Sequence, residues 1–423
     1  MMPDLPTLDL LMNTQTLLGK TVIVRSDLNV PMRHGKLLDD SRIQRAAPTL
    51  RELSDQGAKV LILSHFGRSK ALHDLRPSLS NDTPSLNVIL EPLAAALGRP
   101  VAFSPDIIGE ETDKARRAMA PGDFLLLENL HALQGEIAND TALAEHLANL
   151  ADLYVMDAFS CTDLAHASIV HLPRLLPSVI GRLMEKELTT LSKIMKKPER
   201  PIMAIVGGAK VSNRIMLLEQ LASMVDILVV GGGIANTFLA ALGHTVGHSL
   251  HEANRQNEIK KIMSQARASG CDIILPVDAV VAKAMENNSP HRTVAVKSIP
   301  EDDMILDMGP ASTDYIMRRL GECRTVLWNG PVGAYEMPPY DKGTTAIAQA
   351  IASRSQTGKL QSIAGGAATI AALSRAGVRD DFTYLSLAGG AFLQKLEGRD
   401  LVGLAALRQS PSLSPERDPP TRA

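Results

Sequence analysis

The stretch ILVVGGGIANTFLAAL, residues 227–242, decides the fold. It is the longest apolar run in the chain, so its reading chooses between a membrane span and a soluble architecture. Three consecutive glycines, Gly231, Gly232 and Gly233, interrupt it. A spanning helix needs about 20 continuous apolar residues, whereas β-branched residues, then glycine, then a helical pattern read as strand, turn and helix. The strand–turn–helix reading predicts one unit of a parallel sheet, with a glycine-rich turn at the strand's carboxyl end.

The same unit recurs in both directions along the chain. Strands are expected at Thr21–Val24, Val60–Leu63, Phe124–Leu127 and Leu153–Val155 in the first half. In the second half they are expected at Ile202–Val206, Ile227–Val230, Ile273–Leu275, Thr325–Leu327, Gln361–Ala364 and Tyr384–Leu387. Helical patterns such as Ser41–Gln56, Ala142–Ala151, Arg255–Ser269 and Thr344–Ser353 lie between them. Strand–helix alternation at this spacing predicts an α/β protein with parallel sheets covered on both faces. With 423 residues, two doubly wound, Rossmann-like domains are expected rather than one core. Met184, Leu188, Leu191 and Met195 form one helical stripe between two proline-containing stretches, as a hinge helix joining two domains would. The tail from Gln409 is rich in Pro and Ser and is expected to be disordered.

Bulk chemistry excludes several partners. A formal net charge of −2 points neither to nucleic acid nor to an anionic membrane. The three cysteines, Cys161, Cys271 and Cys323, lack metal-ligand spacing, and the N-terminal residues lack a basic region and an apolar run. A reduced, cytoplasmic setting is expected.

In open parallel sheets, ligands bind beyond the carboxyl ends of the strands. The two halves end their strands differently. The first ends them in polar and charged residues: Arg25, Asp27 and Asn29; Ser64, His65 and Arg68; Glu128, Asn129 and His131; and Asp157, with Arg42 near a helix start. Each alone reads as a loop or capping residue, but together they suit a small, multiply anionic, hydroxylated ligand. The second half ends its strands in glycine: Gly207–Gly208, Gly231–Gly233, Gly330 with Gly333, Gly365–Gly366 and Gly389–Gly390. Turns alone use glycine, but repetition at several strands suits backbone N–H groups meeting a nucleotide's phosphates at helix N-termini. No Walker A is present, since TQTLLGKT (14–21) has Thr14 in place of the first glycine, and no strict G-x-G-x-x-G occurs.

Twelve motifs then occur in one order. They include VIVRSDLNVP (22–31), LSHFGR (63–68), LLLENL (125–130), LMEKEL (183–188), VGGAKVSNRI (206–215), VLWNGPVGAYE (326–336) and LAGGAFLQKLEG (387–398). The chain resembles the phosphoglycerate kinase family from about Gly19 to Leu407. The resemblance implies a monomeric, hinge-bending glycolytic kinase that moves a phosphoryl group between 1,3-bisphosphoglycerate and ADP, giving 3-phosphoglycerate and ATP, with Mg²⁺. It implies a substrate domain over residues 1–183 that 397–408 rejoin, and a nucleotide domain over 184–396. Carried over, Asp27, Asn29, His65 and Arg68 would hold the acid, and Arg42 would face the moving phosphoryl group. Lys210 and Arg214, with Gly365 and Gly366, would serve transfer. Gly207, Gly208, Gly231, Gly232, Asn329, Glu336 and Thr369 would line the nucleotide.

The chain departs from the family pattern at defined places. GGAAT (365–369) has Ala368 where the family has a metal-holding aspartate, and Ala367 where it has a third glycine, so no protein metal ligand is retained. Asn213 and Arg214 stand for aspartate and lysine. His131 and Leu164 stand where the family keeps arginines for the 3-phosphate, with Asp163 beside the leucine. Losing two charge-assisted contacts of about 1.5–3 kcal/mol each weakens binding by roughly two to four decades. Arg25, Arg33 and Arg174 are the candidates for compensation. Three readings follow: a working kinase with a loosened site, a kinase for a different acid, and a non-catalytic binding relative.

Overall fold

The computed structural model describes residues 5–33, 35–67, 84–196, 198–287 and 289–413. The chain divides into two compact units, Met1–Thr189 with Asp400–Ala423, and Thr190–Arg399. Arg68 and residues 414–423 of the tail lie outside the described residues.

In the first unit, β1 (Thr21–Ser26) is followed by a two-residue-strand hairpin, β2 (Met32–Arg33) and β3 (Lys36–Leu37). Then come β4 (Lys59–Leu63), β5 (Val101–Ser104), β6 (Phe124–Leu127), β7 (Leu153–Asp157) and β8 (Ser178–Ile180). The six-stranded sheet runs β5-β6-β4-β1-β7-β8, with every pair parallel. Strand order therefore reverses at β1, with β4 on one side and β7 on the other. All six residues of β1 are buried, including Arg25 and Ser26. Burial on both faces is what a helix-covered parallel sheet requires.

The second unit contains β9 (Ile202–Val206), β10 (Ile227–Val230), β11 (Asp272–Ile274), β12 (Asp278–Ala282), β13 (His291–Ala295) and β14 (Met304–Met308). It ends with β15 (Thr325–Asn329), β16 (Gln361–Gly365) and β17 (Tyr384–Ser386). Its parallel sheet runs β11-β10-β9-β15-β16-β17, which counted within the sheet is 3-2-1-4-5-6 and reverses between β9 and β15. Residues 227–242 resolve into β10 and the helix Gly232–Ala241. No helix among the described residues is long and apolar enough to cross a membrane.

Every expected strand is present. Missing from the sequence reading are β5, β8, the β2–β3 hairpin and an antiparallel sheet, β13-β12-β14, whose strands are short or partly exposed. His291–Ala295 is almost wholly exposed, so it carries no apolar periodicity to read.

The helix predicted around Met184–Met195 spans Arg182–Lys196, with Met184, Leu188 and Leu191 buried. Arg182 anchors its start. Its guanidinium grips both oxygens of Glu52 (2.8 and 2.6 Å) and also meets Asp9 (2.5 Å) and Glu185 (3.1 Å). Asp157, at the end of β7, accepts the Met184 N–H at 3.0 Å. A Cβ on Gly181 would stand 2.4 Å from that carboxylate, so glycine is needed there. The C-terminal helix Val402–Leu407 packs on the helices Ala167–Val170 and Leu172–Leu175, and Gly403 N–H donates to Thr162 O at 2.9 Å.

Asp307, at the end of β14, plays the same part in the second unit. It accepts N–H bonds from Met308 (2.9 Å) and from Gly343 (2.8 Å), in the first turn of the helix Lys342–Gln356. Burial pushes its pKa from the usual 3.8 up to about 7, and the neighbouring Asp341 charge pushes the same way. The folded state therefore holds this proton over a range where the unfolded chain has lost it. Its stabilising effect is full below about pH 4, declines as pH rises to about 7, and is flat above. Urea unfolding of Asp307→Asn and wild type should show the variant gaining on wild type by roughly 2–3 kcal/mol between pH 5 and pH 8. A gap independent of pH would overturn this account.

Candidate active site

The reversal at β1 gathers chemistry from three strands. Asp27 follows β1, His65 follows β4, and Ser160 and Cys161 follow β7. Asp27 is buried, and its Oδ2 meets both Arg42, in an ion pair, and the Ser160 hydroxyl. Its Oδ1 accepts the Asn29 N–H at 3.2 Å. Asn29 spans the crevice, its Oδ1 accepting the Gly67 N–H at 2.9 Å and its Nδ2 lying 3.3 Å from His65 Nε2. Four of the predicted acid-binding residues, Asp27, Asn29, Arg42 and His65, are therefore gathered at one strand end. Arg42 stands near the N-terminus of the helix Ser41–Asp55 and is partly exposed, and burial pushes its pKa down from the usual guanidinium value. Asn129 turns inward instead: it bonds the Phe66 N–H and carbonyl and the Pro84 carbonyl, tying the loop after β4 in place.

Arg25 cannot compensate for a missing surface cation. It is fully buried, and its donors go to Ser168 Oγ (3.1 Å), Ser26 O (2.7 Å) and His65 Nδ1 (3.2 Å). Arg33 and Arg174 are exposed, on the β2–β3 hairpin and on the short helix Leu172–Leu175. The buried guanidinium is balanced by Glu136, also fully buried, which accepts the Ser168 N–H (2.9 Å) and hydroxyl (2.6 Å). A buried charge of either sign is tolerated only when paired and hydrogen-bonded. Glu136 lies in a four-residue helix, Gln134–Ile137, with no pattern that singles it out.

Three histidines surround this pair. The His131 ring lies 4.7 Å from that of His65 and 5.9 Å from that of His166. His131 is 8% exposed, and among the described residues neither of its ring nitrogens has a side-chain hydrogen-bond partner. Burial, then the charges of Arg25 and His166, push its pKa down to about 4. Burial and Arg25 likewise hold His65 well below the usual value. His166 is lowered by burial, although Glu136 at 3.8 Å from its Nδ1 pulls the other way. At neutral pH the cluster is uncharged, so His131 offers a ring hydrogen-bond donor and not a cation. Leu164 is 36% exposed and offers nothing polar. Cys161, buried, sits 3.8 Å from His65 Nδ1.

In the second unit, β9 leads to Lys210 and Arg214. Lys210 is exposed at the start of the single turn Val211–Asn213, and it makes no ion pair or side-chain hydrogen bond among the described residues. Arg214 is half-buried just before the helix Ile215–Met224, its pKa lowered by burial and raised by Glu397. The glycines divide into two sets. A Cβ on Gly207 would fall 1.9 Å from Pro331 O, on Gly231 2.7 Å from Val332, on Gly232 2.9 Å from Gly208 O, and on Gly330 2.2 Å from Gly207 O. These four are glycine because neighbouring loops pack backbone against backbone, a need that stands beside their expected place along the nucleotide. Gly208 and Gly389 face open space, with only Ile234 as near as 3.9 Å to the former.

Gly366 has φ +96° and begins the helix Ala367–Arg375, where Ala367 and Ala368 are exposed. Its expected partners serve the loop itself. Asn329 Nδ2 donates to Gly365 O at 2.6 Å. Thr369 is buried, its hydroxyl donating to Gly365 O (2.9 Å) and accepting from Gly330 N–H (2.7 Å), so it ties two loops together rather than presenting a free hydroxyl. Glu336 is exposed. Mg²⁺ takes oxygen ligands, usually one or two carboxylates with substrate phosphates. The helix start offers Ala368 instead, and among the described residues no group of three or more His, Cys, Asp or Glu could hold a metal ion. The residues present do not fit a protein-held Mg²⁺ at this loop.

Comparison with known proteins agrees with both units. The family described as Phosphoglycerate kinase matches residues 12–399. A phosphoglycerate kinase of Rhodospirillum centenum is 49% identical over 92% of this chain and 96% of its own length. One of Methylorubrum extorquens is 49% identical over 96% and 99%. Among solved structures, phosphoglycerate kinase from Coxiella burnetii superposes with a TM-score of 0.81 at 36% identity, covering 94% of this chain and 98% of that one. The enzyme from Pyrococcus horikoshii gives 0.77 at 27% identity, covering 96% and 98%. With the match running through both units and their strand-end loops, this chain belongs to the phosphoglycerate kinase family.

Proposed function

We propose that this protein catalyses reversible phosphoryl transfer between 1,3-bisphosphoglycerate and ADP, giving 3-phosphoglycerate and ATP. The observation that carries this reading is the gathering of Asp27, Asn29, Arg42 and His65 at the β1 reversal. Phosphoryl transfer asks little covalent chemistry of a protein and depends on positioning and on charge opposite the moving group. In the first unit, Asn29 and His65 would orient the acid, and Arg42, held in place by its ion pair with Asp27, would face the acyl phosphate. In the second, Lys210 and Arg214 supply two cations at the carboxyl end of β9, beside the reversal where a doubly wound sheet binds nucleotides. The nucleotide is proposed to be ATP or ADP as its Mg²⁺ complex, with no carboxylate at position 368 to hold the ion.

A different acid, one without a terminal phosphate, is the second reading. It is favoured by the uncharged His131 and the apolar Leu164. The two readings part in a coupled assay with ATP, Mg²⁺ and 3-phosphoglycerate beside calorimetry with each ligand. Turnover of 3-phosphoglycerate with ordinary saturation supports the first, whereas nucleotide binding without 3-phosphoglycerate binding supports the second.

Leu164 is exposed enough for a longer side chain to be accommodated. Leu164→Arg should therefore lower KM for 3-phosphoglycerate by about tenfold or more, with KM for ATP unchanged, as one charge-assisted contact is worth roughly 1.5–3 kcal/mol. No change would mean that this position does not meet the acid's phosphate. Ala368→Asp with Ala367→Gly should raise kcat by at least about tenfold in saturating Mg²⁺. An unchanged kcat would show that the missing carboxylate is not what limits the rate.

A further inference from the structure

His65 sits between two groups that can only donate. On one side the Arg25 guanidinium lies 3.2 Å from Nδ1. Arginine has no acceptor, so Nδ1 must carry its lone pair. The Cys161 thiol, 3.8 Å from the same atom, is at most a second weak donor to it. A neutral ring with a bare Nδ1 carries its proton on Nε2. On the other side, Nε2 faces the Asn29 Nδ2 amide at 3.3 Å, which also donates. The amide cannot simply turn over, because its Oδ1 already accepts the Gly67 N–H at 2.9 Å. Two N–H groups thus converge with no acceptor between them among the described residues, and each needs a partner. An oxygen of a bound acid would satisfy both.

The lock on this arrangement begins away from the ligand. Glu136, fully buried, takes the Ser168 N–H and hydroxyl at 2.9 and 2.6 Å, and Ser168 Oγ in turn accepts from Arg25 Nε at 3.1 Å. With its hydroxyl hydrogen committed to Glu136, Ser168 can present only lone pairs to Arg25. That fixes the guanidinium plane and aims its remaining arm at His65.

We propose that Glu136 and Ser168, acting through Arg25, are positioning residues that hold His65 in its Nε2–H tautomer, so that His65 and Asn29 together present two donors to one oxygen of the acid. The pairing rests on the functional reading for its ligand but not for its tautomer, which can be read in the unliganded protein. Long-range ¹H–¹⁵N correlation spectra of the full chain, with the His65 signals identified by their loss in His65→Gln, report the tautomer directly. The expected result in wild type is an acceptor-type Nδ1 and a protonated Nε2. Ser168→Ala and Glu136→Gln should each give mixed tautomers at His65, and should raise KM for the acid about tenfold while leaving KM for the nucleotide unchanged.

A protonated Nδ1 in wild type overturns the proposal. So does an unchanged His65 pattern in either variant once its melting curve shows it folded. Should neither variant fold, the wild-type spectrum decides alone. Mixed tautomers in the variants with no turnover of 3-phosphoglycerate by any form would leave the relay standing and remove only the assignment of the acid.

Discussion

Each unit is wound outward in both directions from its first strand, and that constraint locates everything else. Helices that cover both faces of a parallel sheet must leave opposite ways at the strand where the order reverses, so the carboxyl end of that strand stays uncovered. In the first unit the strand is β1, flanked by β4 and β7. In the second it is β9, flanked by β10 and β15. Residues far apart in sequence, such as Asp27, His65 and Ser160, meet for no reason other than this winding. The same constraint explains why β1 can carry a buried guanidinium: its last residues lie under the loops that the reversal brings together.

Much of the architecture was legible because apolar periodicity is a local signal. Strands such as Ile202–Val206 and Ile227–Val230 are buried throughout and flanked by turn residues, so they could be read directly. The antiparallel sheet β13-β12-β14 could not, since β13 faces solvent along most of its length. The site divides in the same way. Residues at strand ends, including Asp27, His65 and Lys210, can be singled out as candidates because position and chemistry coincide there. Glu136 was missed because a glutamate in a four-residue helix looks like any surface glutamate, and only its burial under Ser168 and Arg25 marks it.

The glycines show how one residue type carries two meanings. Gly207, Gly231, Gly232 and Gly330 are required because loops after β9, β10 and β15 pack backbone against backbone. Sequence alone cannot separate that need from close approach to a phosphate, since both demand the absence of a Cβ. The packing has a consequence of its own for the site. It holds the loops rigidly enough to place Asn329 and Thr369 against Gly365, so that the start of the helix Ala367–Arg375 is set by hydrogen bonds rather than by a ligand.

The departures from the family pattern then sort by what each removes. At position 368 an exposed helix start has lost a carboxylate, while its backbone N–H groups and the exposed Lys210 remain. At position 131 the change is in charge and not in polarity. A second arginine there would stand close to Arg25 in a region with little water, where like charges repel strongly. A histidine held neutral by that same burial avoids the repulsion and keeps a hydrogen-bond donor in the crevice. The crevice at the end of β1 thus sets the cation Arg42 near histidines that burial keeps neutral. Neutral donors of this kind recognise hydroxyl and carboxylate oxygens by direction more than by charge, where a cluster of arginines would discriminate by net charge.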